Sequence, residues 1–504
     1  MIFQTIKTSL LAMGMSLCLA SLQAAPLVTQ FTTDGNSNQI VVAADNNNNA
    51  VAVLVDDNVV QATYSANAGP WSPLVNLSNT TDVHFNPSVD MDATGTALAM
   101  WVGFDALNNY YVETAYFTGG IWTTPIPQPL EYTSNSINDT SIAMDGLGKG
   151  LAVWSAGDIH ASFFAGGVWT PFVNIGTAVP SAYIVASYSP SGEASAVWTH
   201  FDLGISDVYA NTYNGTVWQG LINLDTNPTS AADAGIDDQG NTIAIWSSGG
   251  NIVTRRFDGT TWSPAQTLST APGNLGDPKI AVAFDGTAVA VWTDSANNIQ
   301  MSLFNGTTWS APIFVAASSQ NPQITMDDDG NALIGWVTLT GDIYFARLPK
   351  GSTVLDNVTF IKNSVLPVIA FDLALSNEAT TGFAVWNEGI EGSNTFGTSN
   401  LFPALPPAPP FFPTPPLAIA GTTCTSTFVT QSDTVNVITF TPSIDPTVRR
   451  YYVTRNGEFI AVIPAAGPYI YEDHNRNKGV TYIYTVTAVN AENVRSAPIA
   501  VVIN

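Results

Sequence analysis

Two cysteines, 14 lysines and arginines, and no long apolar run are what this chain of 504 residues has least of. Cys18 falls in the N-terminal leader described below, so the mature chain keeps one cysteine, Cys424. One cysteine cannot form an internal disulfide, and an exported protein of this size must then be held by its core. That pattern points to a bacterial exported protein. No stretch approaches the roughly 20 apolar residues of a membrane-spanning helix. The scarcity of cations is uneven: residues 25–412 hold 33 acidic and 7 basic residues, and residues 413–504 hold 6 of each. The negative charge of the first part repels phosphate backbones and anionic lipid surfaces, so no nucleic-acid partner is expected. Its plain reading is solubility outside the cell.

Catalytic signatures are scarce too. The four histidines, His84, His160, His200 and His474, form no His-x-x-x-His or Glu-flanked pair, so no metal site is expected. No Gly-x-Ser-x-Gly elbow occurs. Cys424 has no histidine nearby in sequence and reads as a buried, inert thiol. The acidic turn Asp327–Gly330 lacks the alternating oxygen spacing of calcium loops, and Asp before Gly is ordinary turn chemistry. No cofactor is expected.

The N-terminus reads as a secretory signal over residues 1–24. Lys7 supplies the positive end, Leu10 to Leu19 the short apolar run, and Leu22-Gln23-Ala24 the cleavage site before Ala25. A lipoprotein reading through Cys18 is disfavoured by the large Leu17 before it. The mature protein is expected outside the cytoplasm: secreted, on the cell surface or in the periplasm.

What the chain has in abundance is a repeat. Ala-Leu-Ala-Met-Trp101, Leu-Ala-Val-Trp154, Ser-Ala-Val-Trp198, Ile-Ala-Ile-Trp246, Val-Ala-Val-Trp292, Leu-Ile-Gly-Trp336 and Phe-Ala-Val-Trp386 follow a first copy, Val-Ala-Val-Leu54. The spacings are 47, 53, 44, 48, 46, 44 and 50 residues. Each copy runs from an alternating segment through an acidic or glycine turn to the tryptophan strand. A third strand, a turn and a second tryptophan follow. Period-two alternation between turn signals reads as antiparallel strands, and Asn214-Gly215, Asp258-Gly259 and Asn305-Gly306 suit two-residue hairpins. About four strands in about 47 residues is one propeller blade. The second set, Trp71, Trp122, Trp169, Trp218, Trp262 and Trp309, accounts with the first for all 13 tryptophans. They read as architecture between blades rather than as sugar-stacking platforms. The last copy lacks a closing strand, and Pro26 to Thr33 at the N-terminus supplies one. Eight blades result, or seven if one copy is not a blade.

Residues 26–402 thus resemble the broad group of bacterial repeat β-propellers. Two better-known relatives fit less well. Sialidase-type propellers carry Ser-x-Asp-x-Gly-x-x-Trp turns and an arginine cluster. Here the turn Asp92–Gly95 lies further from Trp101, and only Arg255, Arg256 and Arg347 are present. Arg255 and Arg256 should point to opposite faces of a strand. Fucose-binding propeller lectins place an arginine and a glutamate in each blade, which this sequence does not.

Residues 403–416 form a proline-rich linker, extended and stiff. Strand signals recur every 8 to 12 residues after it. The run from Tyr482 to Asn490 and the hairpin from Tyr451 to Gly457 resemble a fibronectin type III domain over 417–504. The resemblance implies a β-sandwich with Tyr482 as its tyrosine-corner residue, and Phe440 stands where that family usually has tryptophan. The fold class is therefore all-β: a propeller followed by a fibronectin type III β-sandwich.

One copy departs from the pattern. The fourth has Ser189-Pro-Ser-Gly192 in place of an aspartate turn. Its segment Thr199 to Asp207 reads as a longer loop holding His200 and Asp202, the candidate ligand-binding residues. The resulting expectation is a monomeric, non-enzymatic binding or adhesion protein with a protein or glycan ligand. The alternative is a carbohydrate-active hydrolase with a propeller catalytic domain. Two or more carboxylates of raised pKa converging in the central channel would rule out the binding-only reading; a channel of Ser, Thr and Ala would rule out the enzyme.

Overall fold

The computed structural model describes residues 27–32, 39–123, 129–177, 182–202, 205–269, 277–362, 368–376, 381–390, 393–401, 413–427, 432–490 and 495–504. The signal peptide reading at 1–24 and most of the proline-rich linker lie outside the described residues.

Among the described residues, eight antiparallel sheets of four or five strands succeed one another up to residue 401. Their first strands are Ile40–Ala44, Val83–Met91, Thr140–Met144, Ala182–Tyr188, Asp233–Ile236, Lys279–Val282, Ser319–Met326 and Val368–Leu375. Each of these strands packs against the first strand of the next sheet, and the eighth packs against the first. That closed ring is a β-propeller around a channel. The eighth sheet borrows its outermost strand from the N-terminus: Leu27–Thr32 pairs antiparallel with Ser393–Leu401, from Leu27 opposite Asn400 to Thr32 opposite Thr395. Pairing there gives the eighth sheet its fourth strand and covers the edge of Ser393–Leu401.

The tryptophan strand is second in each blade and is covered on both faces. Ala97–Phe104, Gly150–Ser155 and Ala288–Thr293 are buried almost from end to end. This explains their continuous apolar sequence, where a half-exposed strand would alternate. Trp101, Trp154, Trp198, Trp246, Trp292 and Trp386 are fully buried. Each packs on the preceding blade: Trp154 on Leu98, Met100 and Val102, and Trp292 on Ile243 and Ile245. Leu54 of the first copy lies with Ala374, Phe383 and Val385 of the eighth, closing the ring with a smaller side chain. Rings covered this completely cannot stack on a ligand. The second tryptophans close the third-to-fourth-strand turns against an aromatic, as Trp309 does on Phe304 at 5.2 Å.

The aspartate turns join neighbouring blades. Gly286 has φ +80°, and a Cβ there would stand 2.9 Å from Asp237 Oδ2 of the preceding blade. Gly306 has φ +92° with open space around it. Both Gly→Ala changes carry the left-handed strain of about 1–2 kcal/mol. Only Gly286→Ala also pushes on a buried carboxylate. Gly286→Ala is expected to lower the urea midpoint more than Gly306→Ala does; equal losses would show that the close approach contributes nothing.

Residues from 413 form a separate β-sandwich. One sheet orders Ala418–Thr427, Ser432–Thr441 and Ile470–Asp473. The other orders Glu458–Pro464, Val448–Arg455, Tyr482–Asn490 and Ile499–Ile503. Its core contains Ile438, Phe440, Tyr451, Val453, Tyr484 and Val486. Phe440 meets Tyr451 and Tyr469 edge-on, at 4.8 and 5.6 Å. Tyr482 OH accepts a hydrogen bond from Asn477 N at 3.1 Å. Cys424 corrects the expectation of a buried thiol. It is exposed, because it lies on the edge strand where Thr422, Thr423 and Thr425 are exposed with it.

Candidate functional site: the channel and its mouths

The first-to-second-strand turns surround one mouth of the channel. Their aspartates are buried because they tie the turn together. Asp92 Oδ1 accepts from Thr94 N at 2.8 Å and Thr96 N at 2.9 Å, and Asp45, Asp145 and Asp237 repeat the pattern. Asp327 accepts from Asn331 N and Nδ2 at 2.8 and 2.9 Å. At least one oxygen of each of these aspartates is thus spent on N–H groups of its own turn, which is turn chemistry.

Deeper in, the first strands and, for Asp139, the residue just before one carry carboxylates. Asp90, Asp139, Asp233 and Asp372 each accept one bond from the N–H of the next residue and one from the adjoining blade. Asp90 takes Met91 N at 2.8 Å and Met144 N at 2.7 Å; Asp139 takes Thr140 N at 3.0 Å and Ile184 N at 2.8 Å. Asp233 takes Ala234 N at 3.0 Å and Ile280 N at 2.9 Å. Asp372 takes Leu373 N at 2.9 Å and, across the ring closure, Val42 N at 3.0 Å. Ser88 and Ser141 hydroxyls accept from Ile142 N and Ala186 N in the same way. Burial outweighs these bonds and pushes Asp139 up to about 7 and Asp90 and Asp372 up to about 6; Asp233 is raised for the same reason. The positive charge of Lys279, on the sixth blade's first strand, opposes this rise at Asp139, Asp233 and Asp372. The channel thus holds several carboxylates of raised pKa beside Ser, Val and Ala, which by the count alone goes against a binding-only protein and favours the hydrolase. Their hydrogen bonds bear on that choice.

These shifts set a pH dependence. Each folded-state value lies above the ordinary carboxylate value, so between about pH 4 and pH 7 the folded chain holds more protons than the unfolded one. Stability then falls as pH rises through that window. Asp145 and Asp329, raised to about 6, and Asp238, raised to about 7, act in the same direction. Asp258, held down to about 2 by hydrogen bonds from the Thr260 side chain and the Thr261 backbone, acts only at lower pH. The thermal midpoint followed by tryptophan fluorescence is expected to be higher near pH 5 than near pH 8. A midpoint that climbs over that range would contradict the burial account.

The mouth on the turn side opens into a cavity of about 290 Å³. Asp90, Met91, Met144, Met326 and Asp328 of the propeller line it together with Arg450, Tyr452 and Val462 of the C-terminal domain. Arg450 Nη1 stands 2.8 Å from Asp328 Oδ2, and Arg449 Nε 3.9 Å from Asp329. Sequence reading passed over Lys279, the channel aspartates and Arg450. The available signal was a charge at the start of an otherwise apolar strand, as in Pro278-Lys279-Ile280.

The residues singled out from sequence stand elsewhere. The fourth blade's expected loop is strand: Ala194–Asp202 and Ile205–Tyr213 pair to the tip, with Phe201 opposite Ser206 and Asp202 opposite Ile205. His200 faces Asp207 across that pair and is buried, and its Nε2 has no hydrogen-bond partner. Asp202 is placed by its backbone, two residues along the same strand; its side chain lies outside the described residues. His160 Nδ1 lies 2.6 Å from Glu131, which also accepts from Trp154 Nε1 at 2.5 Å. His84 donates from Nδ1 to Asn58 O at 2.6 Å, and burial lowers its pKa. His474 lies 2.6 Å from Asp433 in the C-terminal domain. Arg255 is bound to the carbonyls of Ser263 and Leu224, and Arg256 is 3.9 Å from Asp237, so the pair does point apart. Among the described residues no helix is long and apolar enough to cross a membrane.

No family model matches this chain, and no curated protein matches it. Solved structures of similar shape include the lectin of Aleuria aurantia, a fucose-recognising six-bladed propeller. It is 9% identical, with a TM-score of 0.39, over 66% of this chain and 99% of the lectin. A fungal alcohol oxidase in complex with copper is 12% identical, with a TM-score of 0.42, over 96% of this chain and 99% of its own. Sqt1 of Saccharomyces cerevisiae is 11% identical, with a TM-score of 0.46, over 76% of this chain and all of its own. Likeness at this level concerns the fold and says nothing of a ligand.

Proposed function

We propose that the protein is an exported, non-enzymatic binding or adhesion protein. In this reading residues 1–24 are a cleaved signal, residues 26–402 an eight-bladed propeller presenting the binding surface, and residues 403–416 a proline-rich connection. Residues 417–504 are a fibronectin type III module. One observation carries the choice of binder over enzyme. Asp90, Asp139, Asp233 and Asp372 each hold both carboxylate oxygens on backbone N–H groups of their own and the adjoining blade. A general acid or nucleophile must turn an oxygen to its substrate. These carboxylates act instead as staples between blades. The two-sheet strand order and the bond from Asn477 N to Tyr482 OH support the fibronectin type III reading.

The raised Asp139 and its neighbours favour the second reading, a carbohydrate-active hydrolase, enough to keep it. A glycan array incubated with the mature chain separates the two. Retention without released product supports the binder. Cleavage that is lost in Asp139→Ala or Asp233→Ala would replace it with the hydrolase. No binding to any sugar removes both carbohydrate versions and leaves a protein ligand. Export is tested by the N-terminus of the chain recovered outside the cytoplasm, expected at Ala25; an unprocessed chain retained in the cytoplasm would overturn it.

A further inference from the structure

Arg450 is a charged side chain left 7% exposed at the boundary of two domains. Removing a guanidinium from water is costly unless carboxylates and hydrogen bonds replace the solvent. Here Asp328 supplies the carboxylate at 2.8 Å, and Nε donates to Tyr452 OH at 3.2 Å. Asp329 adds a second negative charge, 3.9 Å from the adjacent Arg449. The cavity behind Arg450 continues this chemistry, with Asp90 on its wall and Met91, Met144, Phe284 and Met326 as apolar surface. Charge is divided to match: 33 acidic against 7 basic residues over 25–412, but 6 of each over 413–504, with Arg449 and Arg450 side by side at the contact.

We propose that this mouth of the propeller is a receptor for a guanidinium carried on an apolar group, and that Arg450 of the C-terminal domain is its tethered occupant. The docked domain closes the mouth. A ligand of the same chemistry competes for it, and loss of the charge pairs releases it. Neither a glycan ligand nor a catalytic role is needed for this.

The full mature chain and the probe benzoyl-arginine amide test it. Arg450→Ala is expected to bind the probe about tenfold or more tightly than the wild type. Arg450→Ala with Asp328→Asn should lose that binding, and the uncharged citrulline analogue should not bind. All 13 tryptophans lie in the propeller, so their fluorescence checks that part of each variant for native packing. A natively packed Arg450→Ala chain that binds no probe, or binds no better than wild type, overturns the receptor. A second arm reads the docking itself. The radius of gyration of the Arg449→Ala/Arg450→Ala chain should exceed that of the wild type, because the pairs with Asp329 and Asp328 are lost. A radius equal to the wild type's overturns docking through charge.

Discussion

Trp292→Ala is expected to cost about 3–5 kcal/mol of propeller stability, and Trp309→Ala about 1–2 kcal/mol, although both remove an indole from the same blade. Trp292 is fully buried among Ile243, Ile245, Ile252, Ile280 and Ala290, residues of two adjacent blades. Those strands are held by their own hydrogen bonds and cannot collapse into the space, so the lost transfer energy is joined by a cavity term. Trp309 is partly exposed and rests on Phe304 at a turn, so its removal leaves a dent that water fills. Urea unfolding followed by circular dichroism compares the two variants. Equal losses would mean that the first tryptophans are not the joints between blades.

Removing residues 25–38 from the mature chain is expected to have an effect of similar size with a different signature. Six residues, Leu27 to Thr32, would no longer pair with Thr395 to Asn400. At about 0.5–1.5 kcal/mol net per hydrogen bond the loss amounts to several kcal/mol. Ser393–Leu401 would become an open edge, and open edges pair with other chains. The truncated chain should unfold at lower urea and associate as its concentration rises, seen by sedimentation velocity. A truncated chain that stays monomeric with an unchanged midpoint would show that the ring does not depend on this strand.

Much of this architecture was legible because each blade is written locally. Alternation marks its first strand, continuous apolar sequence its second, and Asp-Gly or Asn-Gly its turns. The order of those signals repeats eight times. Even the closing strand could be inferred, since the eighth copy lacks one and the N-terminus has one to spare. The fourth blade was misread where composition stood in for pairing. Thr199 to Asp207 is polar enough for a loop, yet the described residues on both sides pair as strand, from Thr199 opposite Val208 to Asp202 opposite Ile205.

From the sequence alone, then, came the period, the number of copies, the role of the tryptophans and the charge difference between the two parts. Only the tertiary structure decided what the channel holds and what closes it. Val42 meets Asp372 across 330 residues, and Arg450 meets Asp328 across 122. A charge on a first strand looks the same from its neighbours in sequence whether it faces solvent, a staple to the adjoining blade or the centre of the ring. Ring closure and domain docking set its surroundings, and both act at separations where no local pattern reaches.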